Sequence, residues 1–187
     1  VSGFSPGDRY EVRLSGSGGQ GLIFAGVVLA EATGLGDGFT VVQTQSYGPE
    51  ARGGALRADL VISEHEIAYP KPVQLDLLLA LTQEAADKYV EQLKPDGFLI
   101  LDSHGVPNPP REDAFSLPLI EAARDELSRP VVANVVALGA ICAITGVVTP
   151  ESLRAVVLHR APKGTEKTNE AAVELGMRLG ASAVEGL

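Results

Sequence analysis

The sequence predicts a single α/β domain of three layers, α/β/α, with a largely parallel, Rossmann-like sheet. Three observations carry that expectation. A strand-like opening, "YEVRL" (Tyr10–Leu14), runs through a glycine-rich turn into an apolar helical segment. Two apolar runs of strand length, "LDLLLAL" and "FLILDS", lack the alternation of a half-solvated strand and read as strands buried on both faces. Strand-like and helix-like segments alternate through the chain, with no linker or repeat between them.

The elements follow in order. "LIFAGVVLAEA" (22–32) reads as a helix closed by the glycines of "TGLGDG". "FTVVQTQ" (39–45) is β-branched and extended, and it leads into the polar segment "SYGPEARGG". "ALRADLVIS" (55–63) is a further strand with partial alternation, and "LDLLLAL" (75–81) follows. Thr82 is placed as N-cap of "QEAADKYVEQL", with "KPDG" stopping that helix before the strand "FLILDS". After the loop "DSHGVPNPPRED" come a short strand, "AFSLP", and a helix, "LIEAARDEL". Thr149 and Pro150 form a cap and first helical position for "ESLRAVVLHR", and a last amphipathic helix starts near Thr165. Residues 1–9 are expected to form a loosely ordered leader, and 10–187 the domain.

Composition narrows the functional classes. The 187 residues suit one domain with a substantial core. With aromatics at 5% and no Trp, that core has to be built from Val, Leu, Ile and Ala. The net charge of −9 argues against nucleic acid as a partner, since such binders neutralise phosphates with Lys and Arg. A single cysteine, Cys142, rules out an internal disulfide or an iron–sulfur site made by this chain alone, and its apolar run "GAICAITG" marks it as a buried hydrophobe. His65, His104 and His159 have no metal-ligand spacing.

"VVANVVALGAICAITGVV" (131–148) approaches the roughly 20 residues that a membrane span requires, but it holds Asn134, Gly139, Thr145 and Gly146. It reads as a helix buried in the core or at a subunit interface. The opening "VSGFSPGDRYEV" has neither the basic nor the apolar region of a signal peptide, so a cytoplasmic location without membrane contact is expected.

Gly16, Ser17, Gly18, Gly19, Gln20 and Gly21 satisfy G-x-G-x-x-G between a strand and a helix. Glycines there allow close backbone approach, and the free amides of a helix N-terminus favour an anion. The acidic residue that would hold a ribose near the end of the second strand is missing; Thr44 and Gln45 stand there. Anion binding and simple strand–helix packing both remain open for this turn. Gly36-Asp37-Gly38 matches the triplet of thiamine-diphosphate enzymes, but the first asparagine downstream is as distant as Asn108, and a turn is the simpler reading.

The second loop holds Tyr47, Gly48, Glu50, Arg52, Gly53 and Gly54 after a strand, where α/β proteins place ligand sites. An aromatic ring and a guanidinium on a shaped loop suit a partner or a ligand better than solvent. Lys163, Lys167 and Asn169 gather at the start of the last helix, where a solvated helix end is the plainer reading. Asn134 is either an internal cap or a buried polar contact. No catalytic grouping stands out.

Four stretches together resemble the gamma subunit, or gamma domain, of the 2-oxoacid:ferredoxin oxidoreductases, the family that acts on pyruvate, 2-oxoglutarate, 2-oxoisovalerate and indolepyruvate. They are "GSGGQG" (16–21), "QSYGPEARGG" (45–54), "VVANVVALGAICAITG" (131–146) and "PKGTEKTNEAAVELG" (162–176). The resemblance implies a non-autonomous subunit of an enzyme that decarboxylates a 2-oxoacid, passes the acyl group to coenzyme A and sends electrons to ferredoxin. Thiamine diphosphate, Mg2+ and iron–sulfur clusters are then expected on alpha and beta partner subunits, with a delta subunit or ferredoxin as further partners, and no cofactor held by this chain alone. The turn at 16–21 and the loop at 47–54 would face those subunits or coenzyme A. Two other readings compete: a self-standing nucleotide-binding module using the turn, or a homo-oligomeric scaffold joined through the apolar helix.

Overall fold

The computed structural model describes residues 5–46 and 55–186. A six-stranded sheet forms the middle layer, in the order β2-β3-β1-β4-β5-β6. Its strands are β1 (Tyr10–Gly16), β2 (Thr40–Ser46), β3 (Leu56–Ser63), β4 (Leu75–Ala80), β5 (Leu93–Asp102) and β6 (Phe115–Leu117). The helices are α1 (Leu22–Glu31), α2 (Gln83–Tyr89), α3 (Leu119–Leu127), α4 (Ala133–Thr145), α5 (Pro150–Arg160) and α6 (Glu166–Glu185).

The pairings β1–β4, β4–β5 and β5–β6 are parallel, whereas β1–β3 and β2–β3 are antiparallel. The mixed character has a simple cause. Only residues 47–55 separate β2 from β3, and a parallel crossover needs about a dozen residues or more. The chain therefore turns back, and β3 lies between β2 and β1.

Side-chain alternation assigns the two faces. Val12 and Leu14 of β1, Leu60 and Ile62 of β3, and Leu77 and Leu79 of β4 join the larger core with residues of α1, α3, α4, α5 and α6. Leu78 and Ala80 of β4 and Leu99 and Leu101 of β5 point the other way, beneath Ala85, Ala86 and Tyr89 of α2. That β4 is apolar on both sides is what its unbroken Leu run required. Thr82 caps α2 as expected, its Oγ1 accepting from the Ala85 amide at 3.3 Å.

"KPDG" does not separate helix from strand. The chain leaves α2 through a 3-10 turn at Val90–Gln92, and β5 already begins at Leu93. Those four residues form an irregularity in β5, because Leu75 pairs with Leu93 but Leu77 with Phe98. Residues 5–9 are hydrogen-bonded to the sheet side of the domain: Ser63 Oγ donates to Asp8 O at 2.8 Å, and the Glu64 amide to Gly7 O at 3.0 Å.

α4 is buried around nearly its whole circumference, from Ala133 to Ile144. It packs among α1, α3, α5 and α6. Its crossing with α6 is close because glycines face it: a Cβ on Gly139 would collide with Val173 O, and one on Gly176 with Val136 O. No helix among the described residues is long and apolar enough to cross a membrane. Within α4, Cys142 Sγ donates to Val148 O at 3.1 Å, and burial pushes its thiol pKa up to about 11.

Three outcomes are expected. Gly176→Ala lowers unfolding stability by about 1–3 kcal/mol in urea titration, because the new methyl meets backbone that cannot step aside. Cys142 resists alkylation in the native chain. Its folded-state pKa lies above the unfolded value of about 8.5, so its contribution to stability is full below that pH. It is lost as pH rises towards about 11. Unfolding of Cys142→Ala, measured beside the parent over that range, shows a shallower alkaline decline.

Candidate functional site

The corner at the C-terminal end of β1 brings together three of the four stretches singled out in the sequence. Gly16 ends β1 and Gly21 is the residue before α1. Between them Ser17, Gly18 and Gly19 are exposed. The turn closes on itself, since Gln20 Oε1 accepts from the Ser17 amide at 2.7 Å. Gly19 and Gly21 have left-handed φ values of 87° and 73°, a region costly to residues with a Cβ. Gly21 leaves α1 without a side-chain cap, so the first-turn amides of that helix have no side-chain acceptor of this kind.

Asn134, at the start of α4, is the seat of this turn. Its Nδ2 donates to Gly21 O at 3.1 Å, and its Oδ1 accepts from the Val135 amide at 2.9 Å. A Cβ on Gly21 would collide with that same Nδ2. Asn134 is thus an internal tether between motifs 113 residues apart. The start of α6 closes the corner. Asn169 is buried, and its Nδ2 donates to Thr165 O and Oγ1, both at 3.0 Å. Its role is to shape the helix start, while Lys163 and Lys167 are exposed.

Two cavities adjoin here. One of about 270 Å³ lies between Phe24, Arg129, Val131, Asn134, Thr165 and Asn169. The other, about 170 Å³, lies between Gly19, Gln20, Leu81, Ile120 and Val131. Val131 lines both and is 74% exposed. Nothing in the apolar run distinguishes this valine from its buried neighbours, so Val131, Phe24 and Arg129 were not legible as site residues. The exposure of Val131 follows from the 3-10 turn at Pro130–Val132, which holds the chain outside α4; Phe24, on α1, is half-buried.

The loop residues Tyr47, Gly48, Glu50, Arg52, Gly53 and Gly54 lie outside the described residues. The strand register still fixes where that loop leaves the sheet. Ser46 pairs with Arg57, and Arg57 with Ser15, so β2 ends at the same edge as the glycine turn.

Asp37, of the Gly36-Asp37-Gly38 triplet, has a structural task. Its carboxylate accepts from the Thr149 amide at 2.9 Å, Thr149 Oγ1 at 2.7 Å and Ser152 Oγ at 2.6 Å, pinning the start of α5. A carboxylate so engaged does not fit the role of a Mg2+ ligand, in keeping with the reading of the triplet as a turn.

Comparison with known proteins places the chain in a family. Residues 11–179 match the family described as pyruvate ferredoxin/flavodoxin oxidoreductase. The 2-oxoglutarate synthase subunit KorC of Methanocaldococcus jannaschii is 44% identical over 175 residues, spanning 91% of this chain and 94% of the relative. The pyruvate synthase subunit PorC of Methanothermobacter marburgensis is 31% identical over 166 residues, 87% of this chain and 93% of the relative. Among solved structures, the gamma subunit of a keto/oxoacid ferredoxin oxidoreductase from Geobacter sulfurreducens superposes with a TM-score of 0.86. It is 45% identical and covers 94% of this chain and 98% of its own.

Gly21→Ala is expected to cost at least about 1–2 kcal/mol in chemical denaturation, from left-handed strain and displacement of Asn134. Gly18→Ala, whose Cβ would meet nothing within 4 Å, stays within about 0.5 kcal/mol of the parent.

Proposed function

This chain belongs to the pyruvate ferredoxin/flavodoxin oxidoreductase family, and from that premise we propose how its own residues serve the enzyme. It is a gamma-type subunit of a 2-oxoacid:ferredoxin oxidoreductase, active only within a multi-subunit complex. The overall reaction joins decarboxylation of a 2-oxoacid to acyl transfer onto coenzyme A, with two electrons leaving to ferredoxin. The KorC relative is the more similar of the two named above, at 44% against 31% for PorC. That difference supports 2-oxoglutarate as the acid.

The single observation that carries the site assignment is the exposed, preformed turn Ser17–Gly19, with open space around Gly18. An exposed glycine-lined turn ahead of a helix N-terminus accommodates an anionic group or the backbone of another subunit without rearrangement. Gly16, Ser17, Gly18, Gly19, Gln20 and Gly21 form the coenzyme A or partner side of the site. The loop with Tyr47, Gly48, Glu50, Arg52, Gly53 and Gly54 leaves the same sheet edge and supplies its cationic and aromatic contacts. Neither element performs a bond-breaking step.

With one cysteine in the sequence, clusters ligated by four thiolates belong on partner chains. The alpha and beta subunits carry thiamine diphosphate and Mg2+, which supply the electron sink for decarboxylation when bound. The assembly works in the cytoplasm.

The test uses the reconstituted complex. Gly18→Val leaves this chain folded, since its side chain projects into open space, but lowers turnover at least about tenfold by filling the approach to the turn. Arg52→Ala lowers turnover less, with unchanged unfolding of the isolated subunit. Full activity in both variants, or turnover of a 2-oxoacid by this chain unaided, overturns the assignment.

A further inference from the structure

The sheet face opposite the large helical layer is divided. α2 covers β4 and β5 there, while β1 and β3 present Arg13, Arg57 and Asp59 instead of an apolar surface. The registers set Arg13 opposite Asp59 and Asp59 opposite Thr44. Ser46 stands opposite Arg57 in the same way. These side chains share one face, because direct cross-strand neighbours project together. With Lys71 they line a basin of about 340 Å³.

The charge balance within the basin is uneven. Arg13 and Asp59 form a buried two-pronged pair, with Nε to Oδ1 at 2.7 Å and Nη2 to Oδ2 at 2.9 Å. The remaining Nη1 of Arg13 donates to Gln92 Oε1 at 2.5 Å. Arg13 and Asp59 therefore neutralise one another. Arg57 Nε lies out of solvent contact with no hydrogen-bond partner, 3.4 Å from an Asp59 oxygen already engaged by Arg13. Lys71 is exposed. Among the described lining, Arg13, Arg57 and Lys71 set three positive charges against the one carboxylate of Asp59, in a chain whose net charge is −9. The Tyr89 ring steadies both guanidinium groups, 4.6 Å from Arg13 Cζ and 5.7 Å from Arg57 Cζ.

We propose that this basin binds the phosphate group of a small phosphorylated compound through Arg57, Lys71 and the hydroxyls of Thr44 and Ser46. A phosphate monoester carries close to two negative charges near pH 7, about −1.5 to −2, and three acceptor oxygens. Both numbers suit this lining better than a singly charged, planar carboxylate. The half-buried Arg57 guanidinium, which lines the basin, provides the directed, charge-assisted donor. The inference is independent of the subunit reading, since it concerns the isolated chain.

The experiment is calorimetric titration of the isolated full chain at fixed ionic strength, with inorganic phosphate, phenyl phosphate and acetate as probes. Saturable phosphate binding is expected, with acetate much weaker. Arg57→Gln is expected to weaken it about tenfold or more, as for loss of a hydrogen bond to a charged group. Lys71→Gln, an exposed change that leaves folding intact, weakens it by a smaller factor. Tighter binding of phenyl phosphate than of inorganic phosphate identifies an organic phosphate as the source; the reverse order identifies the free ion. Absence of saturable phosphate binding, or equal binding of acetate, overturns the proposal. So does phosphate binding that survives both substitutions but is lost in Gly18→Val, because the anion would then sit at the glycine turn.

Discussion

The hydrogen bond from Asn134 to Gly21 O is the constraint on which the site corner depends. It holds the end of the turn against the start of α4, and it works only because position 21 has no Cβ. One contact therefore makes two demands on the sequence. Gly21 must be glycine for its left-handed φ and again for the room that the Asn134 amide occupies. The turn's shape is in this way set by a helix more than a hundred residues downstream, and the mouth of both adjoining cavities is set with it.

α4 can act as that anchor because its own position is over-determined. With no Trp and few aromatics, the core relies on close approach of small and branched side chains. At the α4–α6 crossing the approach extends to backbone against backbone at Gly139 and Gly176. Interiors packed this tightly transmit displacement instead of absorbing it. A shift of α6 would move α4, and through Asn134 would move the turn. The same packing accounts for the long apolar run without any membrane: α4 is apolar all round because helices surround it.

Local signals were legible where local chemistry decides the outcome. Thr82 and Thr149 cap α2 and α5 as read, each accepting from the amide three residues on. The both-sided burial of "LDLLLA" followed from its lack of alternation. The direction of β2 and β3 was less accessible, because strand direction depends on what joins the strands, and only the shortness of the 47–55 connection bears on it. "KPDG" looked like a stop because proline and glycine usually punctuate; here the strand bulges and continues through them. Asn134 was recognisable as a polar residue in an apolar run, but its partner was not, since nothing local links positions 21 and 134. Val131 was invisible for a related reason: its exposure is a property of the assembled corner.

The turn is complete without any ligand. Its Ser17 amide is already satisfied by Gln20, two of its glycines occupy the left-handed region, and Asn134 fixes its far end. A site arranged this way does not need an anion to assemble it, so little ordering free energy is lost when something binds. That property suits a subunit whose contribution is shape. Catalytic groups need tuned pKa values and tightly defined reactive atoms, whereas a completing surface needs a rigid backbone held at the right edge. The residues of this corner that are most constrained, Gly16, Gly21 and Asn134, are constrained by packing. Gly18 carries no such demand, since a Cβ there would meet nothing within 4 Å.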